Sequence, residues 1–400
     1  MTNEISREAL FNEIKTARER RKAPDLSKVV IRNIDLSGQD LLGVNLQGAD
    51  LQGCMLQGVN LEGANLKGAN LQGADLQGAD LQGANLEGAD LQGAQVAGAN
   101  LLGSNLQKSN LAQTNLQGAN LQGVNLEKAT LLGVILLEAD LQGANLQGQD
   151  LQRLDLKQTK LQKSNLSGAN LSGLDLSQVD LSGVILRGAN LEDVKLQYVN
   201  LEGADLTKAT SLFSSQPIRL KRADLSGANL RAAQLQEADL SGTELSGVQL
   251  GRANLQKANL SGVNLQEVDL TEANLQGATL KEVNLMQANL EKANLQGVNL
   301  QDASLPGAQL QQADLQGSNL QGANLQAVNL AGGNLQGVNL SEANLQAANL
   351  LGADLQAANL QGANLLEADL RGTCLKEAKC NEQTQWPERF DPSLVRGMKR

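Results

Sequence analysis

The sequence predicts an all-β solenoid, and three observations predict it. Leucine recurs at every fifth position, as in LQGADLQGADLQGANLEGADLQGA at residues 71–94. A small residue, most often alanine, stands two positions before each leucine, with Asp or Asn between them. Aromatic residues are only 1% of the chain, so a core must be built from Leu and Ala rather than from large rings.

Period five excludes the standard elements. On an α-helix, residues five apart are rotated by roughly 140°, so leucine forms no stripe. On a flat strand, five is odd, and successive leucines face opposite ways. The pattern is consistent only if the chain turns a corner in every repeat. In Ala74-Asp75-Leu76-Gln77-Gly78 the alanine and leucine are two apart and face inward together, while Asp75 and Gln77 face out. Leu76-Gln77-Gly78-Ala79 then forms a type II β-turn, whose third position needs a positive φ that glycine adopts freely. Ala79 and Leu81 point inward again. Internal repeats of this kind stack, each coil on its neighbour, with parallel pairing at about 4.8 Å.

Leucine-type centres run from Ile31 to Leu206, and again from Leu220 to Leu375 in a different phase. The organisation expected is an N-terminal helix and cap at 1–28, repeats at 29–208, a phase-breaking loop at 209–217, repeats at 218–377 and a capping tail at 378–400. Residues 4–21 read as an amphipathic helix with Ile5, Leu10, Phe11 and Ile14 on its apolar side, stopped before Pro24. Trp386 and Phe390 in the tail read as a cover for the last coil.

The phrase A(D/N)LxG, as in Ala64-Asn65-Leu66-Lys67-Gly68, resembles the signature of the pentapeptide repeat family over roughly residues 29–375. The tail is similar to those that follow the repeats in cyanobacterial members. The resemblance implies a right-handed quadrilateral β-helix with four repeats per coil. For this chain that means 17 coils, counted from 36 and 32 centres, and about 80 Å of stack. One internal check agrees: Asn45, Asn65, Asn85, Asn105, Asn125, Asn145 and Asn165 stand twenty apart, and stacked amides form a hydrogen-bonded ladder.

The chemistry is sparse. Without histidine there is no Ser-His or Cys-His pair and no imidazole ligand for a metal. Cys54 and Cys380 fall at inward positions and Cys374 faces out. The many Asp residues share one outward slot and read as a solvated position where Asp and Asn exchange. Some are expected to pair with lysine one coil away, as in Asp140 with Lys160 or Asp175 with Lys195. No catalytic, cofactor or metal site is expected, and the chain reads as no enzyme. The net charge is −10; residues 1–33 carry +3 and 376–400 carry +2, which leaves −15 on the repeats. Direct binding of nucleic acid is therefore excluded. No apolar run of membrane length or signal-like segment occurs, so the reading is cytoplasmic, with no membrane partner.

Two features break the polar rule. Leu132, Ile135 and Leu137 fall on outward positions, which reads equally as a contact patch or as apolar drift on a tolerant surface. Tyr198 is outward, and Phe213 lies in the phase-breaking loop. The function expected is a rigid structural scaffold or protein-interaction module with an unidentified protein partner and weak self-association. The alternative comes from the resemblance: some family members mimic duplex DNA and bind type II topoisomerases such as gyrase, inhibiting or protecting them. A charge of −15 over about 80 Å is about one per 5 Å, against one per ~1.7 Å in DNA. Residues 34–107 are the densest stretch, with eight acidic side chains against Lys67.

Overall fold

The computed structural model describes residues 5–206, 224–395 and 397–399, and Phe213 lies outside them. The chain divides into two compact units, Met1–Asn190 and Leu191–Arg400.

In the first unit, helix α1 spans Arg7–Glu19, with Ser6 as N-cap accepting from the Ala9 amide at 3.2 Å. Leu10 and Ile14 are buried on its inner face. Arg18 ties the helix to the coils by donating from Nη2 to the Leu42 carbonyl at 2.9 Å. The expected N-terminal helix is thus present in a form that fits a cap, and it is the only α-helix among the described residues.

Beyond α1 the backbone pairs with itself in parallel at a spacing of twenty: Asp25 with Asn45, Asn45 with Asn65, Asn65 with Asn85. Four pentapeptides therefore make one coil. Each pairing is a single-residue bridge, not a continuous strand, because three of every five residues belong to corners. The rungs repeat one motif. Leu46 N donates to Asn65 O at 2.7 Å, Asn65 N to Val44 O at 2.9 Å, and Gly48 N to Lys67 O at 2.9 Å. The corner closes on itself, with Ala49 N donating to Leu46 O at 3.0 Å.

The leucine centres and the small residues two before them line the interior; Leu76, Ala74, Leu81 and Ala79 are all fully buried. The third corner position has a positive φ in nearly every described repeat, Arg153 and Gln158 being exceptions. Gly78 sits at 64°, but Lys108 at 60° and Gln113 at 59° show that side chains are also accommodated there. An L-residue in this region costs roughly 1–2 kcal/mol, which glycine avoids.

Some polar residues in small inward slots bond to a carbonyl one coil below, and others, such as Ser109, to the carbonyl three residues back. Thr114 Oγ1 donates to Leu91 O at 2.8 Å, and Gln149 Nε2 donates to Leu126 O at 2.6 Å. Burial at Thr114 and Gln149 is tolerated because the polar atom is satisfied, whereas the buried Ser104 and Ser164 hydroxyls have no partner.

In the second unit the same stack repeats, one residue out of phase. Its first pairings are Lys195 with Asp224, Asn200 with Asn229 and Asp205 with Gln234, a spacing of 29 in place of 20. The extra nine residues leave the rungs intact: Leu201 N donates to Asn229 O at 2.8 Å. Near the C-terminus the chain makes a further turn of the stack. Asn364 pairs with Gln385, a spacing of 21, and Lys379 pairs with Lys399. Trp386 and Phe390 stack there with ring centroids 4.9 Å apart. Cys380 is buried and Cys374 exposed.

Candidate interaction surface

Each coil has four sides, named here by their first complete centres: Leu36, Leu41, Leu46 and Leu51. The outward slots are the Asp/Asn before the centre and the two corner residues after it. These are not passive solvated positions. An outward Asp or Asn accepts from the amide two residues on, as Asp75 Oδ1 does from Gln77 N at 3.1 Å. That bond fixes the corner that follows. Asn Nδ2 then donates to the coil below, as in Asn65 to Asn45 at 3.0 Å, Asn145 to Asn125 at 3.1 Å and Asn165 to Asn145 at 3.2 Å. The expected amide ladder runs along the Leu46 side in part, without side-chain bonds between Asn65 and Asn85 or between Asn105 and Asn125.

Glutamine after a centre also has a structural task. Gln57 Nε2 donates to Asp75 Oδ2 at 2.7 Å, and Gln122 Nε2 to Asp140 Oδ2 at 2.9 Å, each eighteen residues on along a diagonal. Lys160 lies 3.3 Å from Asp140, as the sequence suggested. Asp175 departs from expectation: its partner is Lys157, at 2.9 Å along that same diagonal, in place of Lys195. The Lys157 hydrogen bond holds the Asp175 carboxyl well below the usual carboxylate range. At Asp140, burial pushes the pKa up, but bonds from Gln122, Gln142 and Lys160 outweigh it and the net shift is downward.

Against this amide-covered surface, Leu132 is 63% exposed, Ile135 49% and Leu137 38%. Leu132 lies on the Leu51 side, and Ile135 and Leu137 on the adjoining Leu36 side, so one corner of the stack carries all three. Tyr198 belongs to the second unit, where it is 70% exposed and its ring lies over Gly227 in the next coil.

The stack is open beside these three residues. Pairing continues at Asn125 with Asn145 and at Asp140 with Lys160, yet Thr130 has no bridge to position 150 and Ile135 none to position 155. The backbone N–H groups of Leu131, Gly133 and Leu136 have no backbone acceptor in the next coil, a gap that recurs at Leu156, Leu176 and Leu245. The carbonyls of Ala129 and Val134 receive no bond from Asp150 or Asp155. The cause is the next coil's interior. Gln149 and Leu154 occupy two successive inward slots that mostly hold Ala, Val, Ser or Thr, and the corners at Arg153 and Gln158 lack the positive φ usual at that position. The bulk of Gln149 and Leu154 cannot nest on the coil below at normal rung spacing, so two sides separate. A cavity of about 350 Å³ results, lined by Thr130, Leu132, Gln149, Asp150, Arg153 and Leu154 among others.

Sequence reasoning singled out Leu132, Ile135 and Leu137 but missed Gln149, Asp150, Arg153 and Leu154. The signal was there in two consecutive large residues at small inward slots.

Among the described residues no group of three metal-ligating side chains gathers, and no helix is long and apolar enough to cross a membrane. No curated protein matches this chain. Among solved structures, one that it is similar to is HetL, a pentapeptide repeat protein involved in heterocyst differentiation regulation in the cyanobacterium Nostoc sp. strain PCC 7120. It is 33% identical over 54% of this chain and 89% of its own, with a TM-score of 0.29. A second Nostoc pentapeptide repeat protein is 42% identical over 25% of this chain and 83% of its own, with a TM-score of 0.25. QnrB1, a plasmid-mediated fluoroquinolone resistance protein, is 20% identical over 41% of this chain and 86% of its own, with a TM-score of 0.37. The family model for pentapeptide repeats matches in successive copies from residues 31 to 133, 139 to 210 and 218 to 379. The chain belongs to the pentapeptide repeat family.

Proposed function

We propose that the protein is a non-enzymatic scaffold, a right-handed quadrilateral β-helix whose outer faces dock another protein. The twenty-residue parallel pairing within each unit supports the coil geometry. The absence of histidine removes the commonest general base and supports the non-enzymatic reading.

One observation carries the docking role: Leu132, Ile135 and Leu137 stand exposed on one corner beside a break in the stack, where neighbouring coils carry amides and carboxylates. Apolar side chains that are not needed for the interior gain burial only against a partner. The test is capture from the source organism's lysate with the wild type, the L132Q/I135Q/L137Q variant and K67Q on the Leu46 side. A partner retained by the wild type and K67Q but lost by the triple variant supports the reading. A partner retained by all three removes it.

The topoisomerase reading has one observation in its favour. Of the acidic residues in 34–107, Asp35, Asp40, Glu62, Asp75 and Asp80 fall on two adjoining sides, Leu36 and Leu41. Their density stays below that of DNA. A gyrase supercoiling assay with excess protein is expected to show no inhibition, and clear inhibition would favour the mimic.

A further inference from the structure

We infer that the opening between residues 129–133 and 149–154 receives an extended, apolar segment of a partner polypeptide, which pairs with the backbone groups the stack leaves unbonded there. This rests on the docking role proposed above and names the partner's chemistry.

Three observations define the occupant. First, the unbonded groups are main-chain donors and acceptors in a row along the Leu51 side: the carbonyl of Ala129 and the N–H groups of Leu131 and Gly133. A helix satisfies its own backbone and cannot pair with them, whereas an extended chain offers the complementary row. Second, Leu132 lines the opening, and Ile135 and Leu137 are exposed around the adjoining corner. They select a segment with apolar side chains at alternate positions, because successive side chains of an extended chain point to opposite faces. Third, the cavity is about 350 Å³, near the lower end of ligand pockets at about 300–1,000 Å³, so a short segment fits and a folded domain does not. The two lining charges, Asp150 and Arg153, are opposite, so the segment needs no net charge.

Each rung bond left unmade at the break forgoes about 0.5–1.5 kcal/mol. Gln149 and Leu154 hold the break open at that cost. Ordinary small residues there would close it.

The probe is a fluorescein-labelled hexapeptide of alternating leucine and threonine. Its control is the same peptide N-methylated at alternate residues, which keeps the side chains and removes the donors along one edge. Saturable binding to the wild type, weakened at least about tenfold by N-methylation, is expected from the loss of several hydrogen bonds. The Q149A/L154A variant, with small residues in both slots, is expected to bind the peptide at least about tenfold more weakly while keeping its far-ultraviolet spectrum. Equal binding of the two peptides would show apolar adhesion without backbone pairing and overturn the inference. So would no binding by the wild type, or undiminished binding by a folded Q149A/L154A. If the peptide fails while the triple glutamine variant still loses its lysate partner, the docking role stands and only the extended-segment inference falls.

Discussion

Gln149 donates from Nε2 to the carbonyl of Leu126 at 2.6 Å, from an inward slot that in most coils holds a single methyl group. The bond satisfies a buried amide, yet the side chain that makes it is too long for the slot. With Leu154 on the next side, it interrupts the rungs below and leaves Leu132 at the edge of an opening, with Ile135 and Leu137 exposed around the adjoining corner. A packing misfit in the core thus becomes a feature of the surface.

Inward and outward leucines should differ sharply in energy. Leu76 is fully buried, and Leu76→Ala is expected to cost about 2–5 kcal/mol. Leu132, 63% exposed, should change stability by no more than about 0.5 kcal/mol on substitution by glutamine. Denaturant unfolding of both variants checks this, and a large loss for Leu132→Gln would place that side chain inside.

Neighbouring alanines in the second unit should respond in opposite directions to glycine. Ala357 sits at a corner with φ 58°, and Ala358 is fully buried. Ala357→Gly relieves left-handed strain, an effect partly offset by added freedom in the unfolded chain, and is expected to stabilise by up to about 1 kcal/mol. Ala358→Gly loses a packed methyl and should destabilise by about 1 kcal/mol. Thermal melts of the two single variants decide it.

Removal of residues 1–24 takes away α1 and its Arg18 anchor on Leu42. The first coil then exposes unpaired backbone, and the truncated protein should fold but associate end to end. Sedimentation velocity over a concentration series measures this; a strictly monomeric truncation contradicts the capping role.

The pH dependence follows from the carboxylates. Arg371 holds Asp369 through bonds of 2.9 and 2.7 Å and lowers its pKa to about 2. Ser27 and Ser37 lower Asp25 and Asp35 in the same sense. Folded pKa values below the unfolded value of about 3.9 mean that the unfolded chain binds more protons between those limits. Their stabilisation is complete above pH of about 4 and is lost as pH falls toward 2. With no histidine, denaturation midpoints should be nearly flat from pH ~5 to ~8. A slope in that range would point to a titrating group outside these carboxylates.

Much of the stack was legible because period five assigns each residue an inside or outside position without reference to its neighbours in space. Leu76 and Ala74 are buried, Cys54 is inside, Cys374 is outside, and the asparagines at intervals of twenty do form rungs. What periodicity does not carry is contact between coils. The Gln57–Asp75 diagonal joins residues eighteen apart, a spacing that is no multiple of the repeat. The pairing of Asp175 with Lys157 depends on the same diagonal. The opening was hidden for a related reason: Gln149 and Leu154 obey the register, and only their volume against the coil below reveals the misfit. Glycine was read as the residue that adopts the positive corner φ freely, and Lys108 and Gln113 adopt the same φ.

The most direct measurement is amide hydrogen exchange of the free protein, resolved by fragment mass spectrometry. Leu131, Gly133 and Leu136 lack the inter-coil acceptors that Leu111, Gln113 and Leu116 have in the coil before them, at 2.9, 2.8 and 2.9 Å. The fragment spanning 131–138 should therefore exchange much faster than the fragment spanning 111–118. In Q149A/L154A the two should become equally protected. Equal protection of both fragments in the wild type would mean that the stack is closed at this corner, and the surface proposed here would not exist.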